Sequence, residues 1–215
     1  MLSLDEWNVW YRAHTPEDLR KPGWPWAPKL IEEVYNFEDA LIVGGALITM
    51  MNNADRVRAA CLAQLVNVIG PIMTETGGSA WRQSIFHPFA QASRFGHGDV
   101  LRAQVETDTF ATTTHSHAAT IVASVVHDEK SGDANVFVLN RHATQEVQLE
   151  VELRGLGERE IAFAQELQHH DLKATNTKQA PDAISPREKS DVRFANGKIV
   201  MTLKPLSWNV IATKA

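Results

Sequence analysis

Val147-Gln148-Leu149-Glu150-Val151-Glu152-Leu153-Arg154 alternates apolar and polar side chains without a break. A period of two is the mark of a strand with one face buried and the other in water. Leu206, Trp208 and Val210 alternate in the same way, and strand-like runs occur at residues 119–126, 134–139, 161–167 and 199–203. Strands at this spacing, separated by turn residues, predict an antiparallel β-sandwich. Residues 174–190, rich in Lys, Thr, Asn and Pro, read as a long exposed loop between two of them.

Upstream of Gly96-His97-Gly98 the pattern differs. Ala40, Gly44, Leu47, Ile48 and Met51 recur at helical spacing, and Asn52-Asn53 comes next as a stop. Residues 57–66 are a mostly apolar run of strand length. Gly70-Pro71 and Gly77-Gly78 break the chain beyond that run, and residues 88–95 read as a short helix ended by Gly96. Met1 to Leu4 reads as a short buried strand. After it comes a proline-punctuated loop over residues 12–28, containing Pro16, Pro22, Pro25 and Pro28. A boundary near residue 96 therefore divides an α/β part, residues 1–95, from an all-β part, residues 96–215.

The first strand ends in Leu2-Ser-Leu-Asp-Glu-Trp-Asn-Val-Trp-Tyr11. A carboxylate at a strand end, surrounded by indole rings, suits glycoside chemistry: the carboxylate meets an oxocarbenium-like carbon and the flat rings pack on sugar C–H faces. An N-terminal core strand ending in a solvated acidic turn is the plain alternative. Asp5 alternates with Glu6 and reads as a hydrogen-bonding support.

Asp5-Glu6-Trp7-Asn8-Val9-Trp10-Tyr11, then Ala27-Pro28, Tyr35-Asn36-Phe37-Glu38-Asp39-Ala40-Leu41, Ala63-Gln64-Leu65-Val66-Asn67-Val68-Ile69 and Gly77-Gly78-Ser79-Ala80-Trp81-Arg82-Gln83 resemble, in order, the C-terminal half of glycoside hydrolase family 51. That family consists mainly of α-L-arabinofuranosidases. The resemblance is motif-specific to about Gly98 and looser beyond. It implies that residues 1–95 are the last two β/α units of an incomplete (β/α)8 barrel and that residues 96–215 are a β-sandwich packed against it. It implies that Glu6 is the catalytic nucleophile, that Trp10 lines the sugar pocket, and that Gln64 reaches the substrate. The plain alternatives are a structural ion pair for Glu6 and a hydrogen bond to neighbouring backbone for Gln64.

A retaining glycosidase also needs a protonated carboxyl ~5–5.5 Å from the nucleophile. In the family this acid/base is a Glu directly after an Asn, well upstream, and no Asn-Glu dipeptide occurs in this chain. Glu17, Glu32, Glu33 and Glu38 come after Glu6 and read as loop and helix-surface acids. The expectation is therefore a chain with the nucleophile, without the general acid, and without turnover by itself. The rival expectation is a non-catalytic accessory chain whose sandwich serves binding or assembly.

Other side chains are weaker candidates for chemistry. Trp24 and Trp26 can form a sugar platform or clasp the proline loop to the barrel. His115 and His117 lie one residue apart, but the Thr112-Thr113-Thr114 run beside them favours a surface turn over a metal site. His169-His170-Asp171 reads as an exposed loop. No Gly-x-Ser-x-Gly elbow accompanies the 9 histidines, and Gly44-Gly45 lies within a helix instead of a phosphate loop.

The net charge of −5, with no Lys/Arg block longer than two residues, gives no footprint for nucleic acid. No window approaches the ~20 apolar residues of a membrane span. The single Cys61 cannot form an internal disulfide and fits a reducing, cytoplasmic compartment. Export is not decided, because Met1 reads as an internal or artificial start. No metal or organic cofactor is expected, and the resemblance implies arabinose-containing oligosaccharides or polysaccharides as partners and a homo-oligomeric intact enzyme.

Overall fold

The computed structural model describes residues 1–10, 23 and 31–215. Trp24, Trp26, Glu17 and most of the proline-rich segment lie outside the described residues. The chain runs β1 (Leu2–Trp7), α1 (Phe37–Asn52), β2 (Val57–Leu62), β3 (Ile72–Thr74), β4 (Ala80–Arg82) and α2 (Phe86–Phe95). Next come β5 (Asp99–Leu101), β6 (Thr109–Phe110), β7 (Ala118–Ala119), β8 (Ile121–His127), β9 (Ala134–Asn140), β10 (Val147–Glu152) and β11 (Glu160–Leu167). The last elements are β12 (Arg187–Glu188), β13 (Arg193–Ala195), β14 (Lys198–Leu203) and β15 (Ser207–Lys214).

β1 and β2 form a parallel pair. Apart from the separate β6-β7 pair, the strands from β5 onward make a six-stranded antiparallel sheet, in the order β12-β11-β15-β9-β8-β5, and a three-stranded one, β10-β14-β13. An apolar layer containing Ile121, Val136, Val138, Ile199, Met201 and Leu203 lies between the two sheets, as a β-sandwich requires. The opposite face of the large sheet receives α1. Phe37, Ala40, Leu41 and Ile48 of the helix join Phe137, Leu139, Leu167 and Trp208 in one core.

Why α1 forms where it does is local. The Asn36 side chain accepts from the Asp39 amide at 3.2 Å while the Asn36 amide donates to the Asp39 carboxylate at 2.8 Å, a reciprocal cap that satisfies two otherwise orphaned donors. The helix ends at Asn52, as the Asn-Asn pair predicts. It approaches the sheet closely because Gly44 has no side chain; a Cβ there would lie 2.6 Å from Cε3 of Trp208. The short helix predicted at residues 88–95 is α2, which begins two residues earlier and whose Gln91 accepts from the Trp208 indole N–H at 2.8 Å.

Three local expectations are corrected. β1 is not buried: Leu2 and Leu4 are 55% and 38% exposed, because β2 is the only strand beside β1 among the described residues. β15 does not present one wet face. Every residue from Ser207 to Thr213 is buried, since the strand is central in the large sheet, with helices on one side and the small sheet on the other. The segment 174–190 is not an exposed loop throughout: Asn176, Ile184 and Lys189 are buried, and Asn176 donates to the carbonyls of Arg82 and Ile184 at 3.0 and 2.9 Å.

Candidate active site

The C-terminal ends of β1 and β2 meet side by side. Trp7 stands opposite Leu62 in the parallel register, and the Ala63 amide donates to the Trp7 carbonyl at 3.1 Å. In open or closed parallel sheets this end of the strands is where side chains from different strands converge on a ligand. Glu6 lies just before that junction, Trp10 just beyond it on the β1 side, and Gln64 just beyond it on the β2 side.

Glu6 is exposed and has no hydrogen-bond or ion-pair partner among the described residues. The structural ion pair that is the plain reading of this acid has no counter-charge there. Asp5 instead accepts from the Ser3 hydroxyl at 2.5 Å, a contact within its own strand. Trp10 is 57% exposed. Gln64 is exposed, and its amide donates to the carbonyls of Val66 and Asn67 at 3.2 and 3.4 Å. That is the neighbouring-backbone arrangement, the plain alternative for this residue, so its side chain is folded onto its own loop.

The loop after β2 is shaped by backbone that ordinary residues avoid. Asn67 and Val68 have φ of 59° and 55°, the left-handed region, which is uncommon for Asn and a true outlier for a β-branched residue. Several bonds over-determine it. The Asn67 amide donates to Ile72 O, the Gly70 amide to Asn67 O, and the Thr74 amide to Asn67 Oδ1, each at 2.7 Å. Gly70 is required where it stands, since a Cβ would lie 2.7 Å from the Leu65 carbonyl carbon. Beneath the loop the buried Gln83 accepts from the Tyr35 amide at 2.9 Å and donates to Gly70 O at 2.9 Å, while the Tyr35 hydroxyl donates to Ile69 O at 3.2 Å.

Asn8 has a role that the sequence reading does not assign. Its amide nitrogen donates to Ala63 O at 2.6 Å and Ile69 O at 2.7 Å, and its oxygen accepts from the Val9 amide at 2.8 Å. It ties the Glu6-bearing strand end to both ends of the Gln64 loop. The signal in the sequence is a single amide among the aromatics of Trp7-Asn8-Val9-Trp10, which is where a strand end needs a donor. Trp7 packs beside Tyr35, Val43 and Ile85, with its ring 6.5 Å from that of Phe89.

The other candidates lie elsewhere. His115 is exposed in the turn between β6 and β7, where its Nδ1 meets the Thr114 hydroxyl at 2.9 Å, and His117 is exposed in the same turn. His169 stacks on His170 at 4.4 Å and is partly covered, its ring edge-on to Phe37. A separate cleft of about 380 Å³ between α1 and the large sheet is lined by residues such as Leu41, Ile42, Val122 and Arg141, and none of the three candidate residues borders it.

The family model for the α-L-arabinofuranosidase C-terminal domain matches residues 5–207. The chain belongs to that family. This arabinofuranosidase C-terminal domain is 41% identical over 210 residues to the intracellular exo-α-(1→5)-L-arabinofuranosidase of Halalkalibacterium halodurans, the match covering 98% of this chain and 41% of that protein. It is 43% identical over 213 residues to intracellular exo-α-(1→5)-L-arabinofuranosidase 1 of Bacillus subtilis, covering 99% of this chain and 42% of that protein. A solved structure of a family 51 α-L-arabinofuranosidase from Bifidobacterium longum superposes with a TM-score of 0.87 at 36% identity, covering 98% of this chain and 41% of that one. The chain thus spans about two-fifths of the length of the curated relatives it matches. Those relatives are glycosidases, and the arabinofuranosidase C-terminal domain has the sheet-dominated architecture that the alternation of residues 147–154 predicts.

Proposed function

We propose that this chain is the C-terminal portion of a retaining, exo-acting α-L-arabinofuranosidase. Residues 1–95 supply the last two β/α units of its (β/α)8 barrel, and residues 96–215 supply its β-sandwich. The β1-α1-β2 order, with α2 following after the β3-β4 pair, and the parallel pairing of β1 with β2 support the barrel reading, because a barrel strand has a parallel neighbour on each side and β1 has only one among the described residues.

The observation that carries the proposal is Glu6 itself: an exposed carboxylate at the C-terminal end of a parallel strand, unengaged among the described residues, in a chain of this family. Glu6 attacks the anomeric carbon of a terminal arabinofuranosyl group, forming a covalent arabinosyl-enzyme while the leaving oxygen takes a proton from an upstream Glu. The same upstream Glu then removes a proton from water, which displaces Glu6 from the sugar. Trp10 offers a ring for the sugar's C–H face. Gln64 turns from its loop carbonyls to a sugar hydroxyl. Substrates are terminal arabinofuranosyl groups on arabinan, arabinoxylan and their oligosaccharides, with no cofactor. The names of the relatives support a cytoplasmic enzyme, and the intact protein is a homo-oligomer.

The test uses the polypeptide that includes the coding sequence upstream of residue 1. With an activated aryl α-L-arabinofuranoside, Glu6→Ala lowers kcat by about 10³-fold or more while far-UV circular dichroism is unchanged. Residues 1–215 alone give no turnover. Undiminished hydrolysis by Glu6→Ala removes Glu6 from the mechanism.

A further inference from the structure

The sandwich reaches the Gln64 loop through an intermediary, the β3-β4 hairpin. Bonds link Pro71 with Gln83 and Glu75 with Ser79, so by the alternation of an antiparallel pair Ile72 and Arg82, opposite each other in register, turn their carbonyls outward. Each outward carbonyl is taken by an asparagine residue. On the β3 edge the Asn67 amide donates to Ile72 O at 2.7 Å. The Asn67 side chain adds two bonds to Thr74, accepting from its amide at 2.7 Å and donating to its hydroxyl at 2.8 Å. The turn that accepts the Gln64 amide is therefore built on the hairpin.

On the β4 edge the partner comes from the sandwich. Asn176 lies in the excursion that joins β11 to β12 of the large sheet, and its side chain donates to Arg82 O at 3.0 Å. Asn176 is only 2% exposed and is itself fixed: it donates to Ile184 O at 2.9 Å and accepts from the Ile184 amide at 2.7 Å, and Ile184 is in the core with Leu167 and Trp208. Two residues on, Lys178 pairs with Glu75 at the hairpin tip. The excursion thus grips the hairpin at its base and at its tip, on the side away from Asn67.

We propose that Asn176 and Lys178 are positioning residues for the reaction: from the sandwich they clamp the β3-β4 hairpin, and the hairpin sets where the Gln64 loop stands. The inference rests on the proposed reading of Gln64 as a substrate contact and supplies its distant support. The loop needs such support. Left-handed backbone at Asn67 and Val68 persists only while the surroundings over-determine it. A hairpin released on its β4 side moves as a unit, since Ile72 and Arg82 are register partners, and the Asn67 turn moves with it. The sandwich thereby shares in substrate recognition through hydrogen bonds that run from Ile184 by way of Asn176, Arg82, Ile72 and Asn67 to Gln64.

The experiment uses the intact enzyme and an activated aryl α-L-arabinofuranoside. Lys178→Ala should lower kcat/KM about threefold, the scale of an exposed ion pair, and Glu75→Lys combined with Lys178→Glu should restore it. Asn176→Asp keeps the acceptor for the Ile184 amide and withdraws the donated bonds, for a loss of about tenfold or more; should it not fold, Lys178→Ala carries the test. In a Gln64→Ala background both losses should vanish, because residues acting through one loop are not additive. Amide exchange, read without substrate, should quicken at Asn67 and Gly70 by about threefold in Lys178→Ala and tenfold in Asn176→Asp, with α1 unchanged. Losses that multiply with that of Gln64→Ala, no rescue by the charge swap, or unaltered exchange at Asn67 and Gly70 would each overturn the brace. Failure of the catalytic reading is a separate result: Glu6→Ala or Gln64→Ala would then leave hydrolysis intact while exchange still reports on the hairpin.

Discussion

Asn8 holds Ala63 by a 2.6 Å hydrogen bond across the junction of the two parallel strands, and the same amide nitrogen reaches Ile69 at 2.7 Å. One side chain therefore fixes the distance between the strand that carries Glu6 and the loop that carries Gln64. Asn8→Ala removes the side-chain donor from the Ala63 carbonyl and leaves Ile69 O with the Tyr35 hydroxyl alone, at about 1–3 kcal/mol in stability. Asn8→Asp should cost more, since a carboxylate would face both carbonyl oxygens. Urea midpoints at constant m-value read the loss. On the proposed reading of Glu6 as nucleophile, kcat of the intact enzyme should fall by about tenfold or more, because small misplacements of catalytic groups are expensive.

Gly44→Ala tests the approach of α1 to the large sheet. The new methyl would meet the Trp208 ring at 2.6 Å, and the indole cannot retreat without breaking its bond to Gln91. The expected destabilisation is about 1–3 kcal/mol despite the better helix propensity of alanine. Gly45→Ala is the control, because its nearest neighbour would be the movable end of Leu139 at 3.3 Å.

His87 makes stability depend on pH. Burial pushes its imidazole down from 6.5 to about 4, against a hydrogen bond with the Ile184 backbone that favours the charged ring. Above pH 6.5 the ring is neutral folded and unfolded, and contributes no slope. Between 6.5 and about 4 the unfolded chain binds the proton and the folded one does not, so stability falls as the pH falls, by about 3 kcal/mol in all. His87→Gln should flatten that part of the profile. Urea unfolding at pH 7, 5.5 and 4.5, read as the difference between parent and variant, separates His87 from the carboxylates.

Glu166 is buried between two lysines. It pairs with Lys189 at 3.3 Å and Lys204 at 2.7 Å, and Lys189, itself buried, also meets Asp191 at 3.0 Å. Glu166→Gln leaves a buried ammonium with one carboxylate at the rim, at a cost of about 3 kcal/mol. Lys204→Ala, at the exposed end of the same network, should change stability by less than about 1 kcal/mol. Equal effects from the two substitutions would mean the buried link carries no special weight.

The elements legible in the sequence are those whose cause is local. The apolar stripe of α1 and its stop at Asn52-Asn53 are local, as is the strict alternation of β10; neither needs a distant partner. The features hidden from it depend on neighbours. Leu2 and Leu4 are apolar, but whether they are buried depends on which strands flank β1. Asn176 and Lys189 belong to a polar segment, yet Arg82 and Glu166, distant in sequence, supply the partners that let them be buried. At the candidate site, the strand-end position of Glu6 is legible from the acid-aromatic sequence. The exposure of Gln64 is not, because it depends on how the Asn67-Val68 turn folds its loop.

Helix α1 serves as a wall for both halves of the molecule: Phe37, Ala40, Leu41 and Ile48 seal the sandwich side, while Val43 closes on Tyr35 and Ile85. A cut at residue 96 would strip the sandwich of that wall and leave Trp208 facing water. Heating should therefore produce one calorimetric peak, and anyone grafting the sandwich onto another carrier would have to bring residues 36–52 with it.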